Sequence, residues 1–150
     1  MDIEQAIQSH RVLTQSLADA VGDAGAVGLF ELEPDYVEAR DPCDSDLSFW
    51  QAWTPSLQAT AVDPEGEGFW PTTWDAVRGV AERAGFEEHV VLEDNPGNHA
   101  VEFSNGAGAL ILVMAKPTTE DPSITRTSIK LRTGCHPDGS AGSSGEMSPR

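Results

Sequence analysis

The sequence predicts an α+β domain in which two helices pack on one face of a mostly antiparallel sheet of about five to six strands. Two segments, 2–21 and 72–84, repeat apolar residues at the spacing of an amphipathic helix. Four strand-like runs follow the second helix, at 86–93, 99–104, 107–116 and 124–133. The separators between these runs have turn composition, which indicates hairpins and therefore antiparallel pairing.

Both predicted helices carry boundary signals. The first ends before Gly22, and its apolar face comprises Ile3, Ala6, Ile7, His10, Leu13, Leu17 and Val21. In the second, Thr72 is the predicted N-cap, Asp75 lies in the first turn and Gly85 follows the last turn. Its apolar face comprises Trp74, Val77, Val80, Ala81 and Ala84.

The segments between the two helices give weaker strand signals. Residues 25–32 look like a strand that its glycines weaken, and residues 33–46 read as an acidic loop. Residues 47–61 alternate in part but contain Pro55, which indicates a broken or edge strand. A second loop is expected at 62–71.

The last part of the chain predicts a meander and then a tail. The run Leu-Ile-Leu-Val-Met within 107–116 is typical of a central strand, and Asn105-Gly106 before it is a hairpin signal. Residues 1–136 are therefore predicted to form a single domain. Residues 137–150 are rich in Gly and Ser and are predicted to be a disordered tail.

Net charge excludes some classes of partner. The 150 residues carry a formal charge of −16, which argues against nucleic acid and against an anionic membrane surface. The longest apolar run, 107–115, is about half the length of a membrane-spanning helix. Residues 1–4 lack the basic start of a signal peptide, so either the protein is cytoplasmic or the sequence begins at the mature part.

The two cysteines, Cys43 and Cys135, allow three interpretations. They could be free buried thiols, or metal ligands, although a metal site needs more ligands at short spacing. They could also form a disulfide, which we favour because both lie in a loop or at a strand end. Such a bond would stabilise the fold by about 4–5 kcal/mol in the chain-entropy model and implies an oxidising compartment.

Two motifs of the sequence carry a resemblance to a known family. They are the helix segment Val-Arg-Gly-Val-Ala-Glu-Arg-Ala-Gly at 77–85 and the strand Ile-Lys-Leu-Arg-Thr-Gly-Cys at 129–135. In these motifs the chain resembles the LppA-like family of actinobacterial (mycobacterial-type) lipoproteins. The order of elements over 2–136 is also similar, whereas the acidic loops and the tryptophan-rich segment 50–74 have no counterpart. The resemblance implies an envelope location, a lipid anchor outside this chain and no established activity.

No motif of known catalytic spacing is present among the four histidines, His10, His89, His99 and His136. His10 is expected to pack on the helix face. His89 and His99 flank a turn and could face each other with Glu93 or Asp94, as a metal or acid–base site or as a cross-strand polar pair.

Aromatic and acidic residues give further candidate sites. All four tryptophans fall within 25 residues, and Phe69 and Trp70 are expected to be exposed in the second loop. Phe69, Trp70 and Trp53 are therefore partner-binding candidates, with core packing as the other interpretation. A dense acidic run could bind Ca²⁺ or form a solvated loop; it comprises Glu31, Glu33, Asp35, Glu38, Asp41, Asp44 and Asp46.

These observations favour a non-enzymatic, secreted or envelope-tethered lipoprotein-type domain that binds a protein or a cell-envelope component. We expect a monomer without metal or cofactor, which reaches the membrane only through an anchor outside this chain. The alternative is an acidic immunity-type protein that blocks a basic toxin by charge complementarity. A small enzyme that depends on His89 or His99 is the third hypothesis.

Overall fold

A computed structural model of the protein describes residues 1–33, 36, 39–43, 47–62 and 67–138. It confirms the α+β class. The elements are α1 (Ile3–Asp23), β1 (Glu31–Leu32), β2 (Arg40–Pro42), β3 (Phe49–Ala52), β4 (Leu57–Thr60), α2 (Phe69–Arg83), β5 (Glu88–Asn95), β6 (Asn98–Ser104), β7 (Leu110–Pro117), β8 (Thr125–Arg132) and β9 (His136–Pro137).

The strands form two antiparallel sheets. The larger sheet has six strands in the order β1-β4-β8-β7-β6-β5, so the predicted meander from β5 to β8 is confirmed. A second sheet has three strands in the order β2-β3-β9 and was not predicted. Its strands have two to four residues each, which is too short for an alternating pattern to be recognised in the sequence.

The core lies between the two helices and one face of the larger sheet, which we call the inner face. Val101, Val113 and Ile129 are in register across β6, β7 and β8 and are buried. Leu17 of α1 and Val77 of α2 belong to the same core cluster. Because side chains alternate along a strand, the intervening residues point to the outer face, where most are partly exposed.

The first helix forms as its signals predict. Asp2 is the N-cap, and its side chain accepts a hydrogen bond from the backbone N–H of Gln5 at 2.8 Å. The Gln5 side chain accepts one from the Asp2 backbone N–H at 2.9 Å, which completes a capping box. The buried face of the helix includes Ile3, Ile7, Leu17 and Val21.

The second helix begins earlier than predicted. It starts at Phe69, three residues before the predicted N-cap Thr72, because Pro71 fits the first turn, where its missing N–H costs no helical hydrogen bond. The Thr72 hydroxyl instead donates to the carbonyl of Gly68 at 3.2 Å. Gly85 follows the helix with φ 93°, as its sequence position indicates.

The boundaries predicted between the helices need correction. In the predicted strand 25–32 only Glu31–Leu32 is a strand, although Val27 forms an isolated bridge with Ala61. The predicted segment 47–61 is divided near Pro55 into β3 and β4, which belong to different sheets. The predicted loop 33–46 contains β2.

The structure contains the Cys43–Cys135 disulfide, with the two Cα atoms 6.1 Å apart. It links the residue after β2 to the residue before β9, and these two strands flank β3. We call the strands β2, β3 and β9, together with residues 3–10 of α1, the stapled end. The strand β9 includes Pro137, one residue beyond the predicted end of the domain. The remainder of the predicted tail, 139–150, lies outside the described residues.

Candidate binding cleft

A cleft of about 530 Å³ opens between the first turns of α2 and the hairpin of β5 and β6. We call it the aromatic cleft and define it by Glu67, Trp70, Trp74, Asp94 and His99. Apolar side chains complete its lining; they are Pro71, Val91 and Val101.

Two local features of the sequence build the aromatic cleft. Trp70 and Trp74 are four residues apart, so the early start of α2 places them one turn apart on the same side of the helix. In the hairpin, Pro96-Gly97 forms the turn and Gly97 has φ 73°, a value that favours glycine. The pairing that follows places Asp94 directly opposite His99 on the inner face.

His99 is the buried polar centre of the cleft and is only 4% exposed. Its Nδ1 lies 3.0 Å from Oδ1 of Asp94, and its Nε2 lies 2.8 Å from Oε1 of Glu67. The imidazole also stacks on the Trp70 ring, with centroids 4.6 Å apart and an interplanar angle of 8°. The ring is therefore held in position at both nitrogens and by its stacked face.

The two carboxylate partners of His99 determine how many hydrogen-bond donors the contacts need. An ionised carboxylate only accepts hydrogen bonds, whereas a neutral imidazole has one N–H donor. Both contacts are therefore satisfied when His99 carries two N–H groups, or when one of the two carboxyl groups is protonated. Each of the two contacts therefore needs a hydrogen of its own.

Glu67 connects the start of α2 to the hairpin turn. Its Oε2 accepts a hydrogen bond from the backbone N–H of Gly97 at 2.7 Å, in addition to the contact with His99. Its backbone has φ 61°, a left-handed conformation that is uncommon for a residue other than glycine. Such conformations persist where surrounding contacts fix them and are concentrated at functional sites.

Trp74 forms the second aromatic wall. Its ring lies 5.6 Å from the Phe103 ring, centroid to centroid, and 5.0 Å from the ring of His89. Phe103 is buried, whereas Trp74 remains partly exposed and lines the cleft. One part of the indole therefore packs on the core while another faces solvent.

The charge of the cleft is negative. Among the described residues that line it there is no lysine or arginine. Lys116 of the neighbouring strand β7 is on the outer face, where it pairs with Glu93 and donates to Oδ1 of Asn98 at 3.0 Å. The cleft therefore joins aromatic and apolar surface to carboxylate charge.

The structure separates the three predicted partner-binding residues. Trp70 lines the aromatic cleft, but Phe69 is 3% exposed and lies in the core, so the expectation of an exposed Phe69 is wrong. The early helix start is the reason, because it turns Phe69 inward. Trp53 lies elsewhere, beneath Nζ of Lys130 at 4.8 Å from the ring centroid and beside Arg132, two residues of the outer face.

The proposed facing of His89 and His99 is wrong. His99 pairs with Asp94, because the turn is at Pro96-Gly97. His89 lies five residues before Asp94 and pairs with Phe103, after a bulge between Val91 and Glu93 has shifted the register by one residue. The Asp94–His99 pair could have been found by counting outward from Pro96-Gly97 as a two-residue turn. Glu67 was missed, because no local pattern links it to a histidine 32 residues later.

His10 occupies a different setting, in a second cleft of about 450 Å³ that also includes His136 and Phe86. Its Nδ1 donates to the carbonyl of Ala6 at 2.8 Å, and its Nε2 is buried without a hydrogen-bond partner. Burial lowers the pKa of His10 below its ordinary value, the bond to Ala6 opposes this, and the charge of His136 lowers it further.

The described residues contain no group of three or more His, Cys, Asp or Glu side chains that could hold a metal ion. The acidic run considered for Ca²⁺ includes Asp35, Glu38, Asp44 and Asp46, which lie outside the described residues. Neither helix of the described part of the chain has the length and apolar character needed to cross a membrane.

Comparison with known families identifies the family of the chain. Residues 2–138 match the LppA family, described as a lipoprotein confined to pathogenic Mycobacterium. The chain belongs to the LppA family. This confirms the family membership that the two sequence motifs predict. No curated protein shows significant sequence similarity to the chain.

A solved structure shares the fold. The crystal structure of LppA from Mycobacterium tuberculosis superposes with a TM-score of 0.68 at 13% identity, covering 99% of this chain and 87% of that one. A DUF4853 family protein from Actinomyces odontolyticus matches with a TM-score of 0.46 at 15% identity, covering 91% of this chain and 70% of that one. At these identities the likeness to LppA of Mycobacterium tuberculosis shows the fold alone.

Proposed function

We propose that this LppA-family chain is a non-enzymatic binding domain that acts outside the cytoplasm and takes its ligand in the aromatic cleft. The observation that carries the proposal is the aromatic cleft itself, in which a buried His99 is fixed between two carboxylates beside two partly exposed tryptophans. A mostly apolar cleft with a few convergent polar groups is the usual form of a small-ligand site, so this arrangement favours a role in recognition.

Binding is a better interpretation than catalysis because of how the polar groups are used. Both nitrogens of His99 already have partners, and one face of its ring is covered by Trp70. The described residues that line the aromatic cleft include no serine, cysteine or lysine that could act as a nucleophile. The cleft therefore presents a preformed surface rather than a reactive group.

The location outside the cytoplasm is supported by two independent features. The LppA family is described as a lipoprotein, which implies tethering at the cell envelope. The Cys43–Cys135 disulfide is typical of oxidising compartments. We expect the mature protein from its native host to have no free thiol and to be found in the envelope fraction.

The four indole N–H signals of the isotope-labelled protein test the binding function by two-dimensional NMR. Protein, glycan and lipid fractions of an actinobacterial envelope are added separately. One fraction is expected to shift the signals of Trp70 and Trp74 and to leave those of Trp50 and Trp53 in place. The response should disappear in Trp74→Ala. Shifts confined to Trp50 or Trp53, or no shift with any fraction, would contradict the proposal.

A further inference from the structure

The aromatic surfaces of the cleft suit a particular kind of ligand group. Trp70 and Trp74 are partly exposed and line the same opening, with Val91 and Val101 beside them. The face of an indole ring attracts a positive charge through its quadrupole, and tryptophan does so most strongly among the aromatic side chains. The lining can therefore accept both a cationic head and an apolar body.

The carboxylates of the cleft favour a positively charged ligand. Glu67 uses both oxygens, on Gly97 and His99, and its side chain is 32% exposed. The Asp94 side chain is 68% exposed, and the structure gives only its Oδ1 a bond to His99. Asp94 therefore has an oxygen that can face a ligand, and a chain of formal charge −16 repels anions.

The volume of the cleft indicates a small ligand. About 530 Å³ is within the range of roughly 300–1,000 Å³ that is typical of small-molecule sites. The opening lies between one helix and one hairpin, so a compact group can enter it from solvent.

We propose that the aromatic cleft binds a small organic cation, an alkylammonium head carried on an apolar body. This rests on the proposed binding function and names the ligand class. Trp70 and Trp74 contact the head, the outer oxygen of Asp94 supplies the countercharge, and Val91 and Val101 contact the apolar body. His99 is a positioning residue, because it holds Asp94 and Trp70 in place and does not itself need to touch the ligand.

Choline is a suitable probe, and its uncharged carbon isostere dimethylbutanol is the matched control ligand. Each is titrated to tens of millimolar into the isotope-labelled protein, and the four indole N–H signals are followed. Choline is expected to shift Trp70 and Trp74 saturably, with Trp50 and Trp53 unchanged. An equal response to dimethylbutanol would overturn the assignment of a cation site.

Two variants separate a local countercharge from the general charge of the protein. Asp94→Asn keeps an acceptor for His99 and removes one negative charge, so affinity for choline should fall about three- to tenfold. Glu88→Gln removes the same charge from an exposed residue of β5 that points to the outer face, and it should leave the affinity unchanged. An equal loss in both variants would mean nonspecific attraction and would overturn the site.

Other outcomes distinguish this inference from the proposed function. If an envelope fraction shifts Trp70 and Trp74 but choline does not, the binding function stands and the ammonium class is wrong. Saturable shifts with a neutral sugar alone, or with a lysine-containing peptide alone, would likewise overturn the small-cation assignment. If neither envelope fractions nor choline shift these two signals, both proposals fall.

Discussion

At the stapled end of the domain a tryptophan and a histidine are used for packing, whereas at the aromatic cleft the same residue types belong to a polar network. Trp50 packs on the small cluster of α1 and β3, and its Nε1 donates to the carbonyl of Leu47 at 2.9 Å. Trp70 instead stacks on His99, which two carboxylates hold. The contrast sets side-chain packing at one end against a polar network at the other, where we propose that the ligand binds.

His10 and His99 show the same contrast between packing and a polar network. His10 has a buried Nε2 without a partner, and burial lowers its pKa, so its surroundings oppose a positive charge. His99 is buried more completely but faces a carboxylate at each nitrogen. Arranging two carboxylates around one buried ring is not required for packing, which distinguishes the cleft from an ordinary core contact.

The largest expected effect concerns the stapled end. In the double variant Cys43→Ser with Cys135→Ser, the crosslink over a sequence separation of 92 residues is lost. The free energy of unfolding in urea should fall by roughly 4–5 kcal/mol, because the unfolded chain regains conformational freedom. At low denaturant the Trp70 and Trp74 indole signals should stay in place. Displaced cleft signals would show that the two ends are not independent.

A smaller loss of stability is expected at Glu67. Glu67→Ala removes the acceptors of His99 and of the Gly97 N–H, so the free energy of unfolding should fall by about 1–3 kcal/mol. Glu67→Gln keeps a side-chain oxygen that can accept one of these bonds and should cost less. Equal stability of the alanine variant and the unmodified protein in urea unfolding would show that the network contributes nothing to the fold.

At Trp70 the effect on stability should be smaller than the effect on binding. Trp70→Ala removes the ring stacked on His99, a contact worth about 0.5–1.5 kcal/mol beyond its burial. The shift of the Trp74 indole signal by choline should weaken at the same time. Trp53→Ala is the matched control at the outer face, and it should leave the choline response unchanged. A choline affinity unaltered by Trp70→Ala would remove Trp70 from the site.

Most of the larger sheet could be predicted from the sequence, because β5 to β8 are adjacent in the chain and long enough to show their patterns. Even there, the Asn105-Gly106 signal marks a longer connection, in which the Asn105 side chain accepts hydrogen bonds from Ala107 and Ala109. The second sheet could not be predicted, because β9 pairs with β3 across more than half the chain.

The candidate site was predictable only in part. The crowding of aromatics predicts Trp70 as a candidate binding residue, and the closeness of His99 and Asp94 in sequence suggests that they act together. Glu67 was not identified, because its contacts with Gly97 and His99 depend on how α2 docks against the hairpin. A tertiary contact of this kind leaves no periodicity and no spacing in the sequence.

The smallest effect is expected at His10 and appears as a pH dependence. Its pKa in the folded protein lies below the ordinary value of about 6.5, so the unfolded chain binds more protons as the pH falls through that value. Stability is therefore lost as the pH falls through about 6.5 and below, until the folded pKa is passed. In His10→Gln this part of the loss should disappear, which urea unfolding across the same range measures. If the two proteins lose stability in parallel, burial of His10 does not oppose its charge, and the contrast with His99 no longer holds.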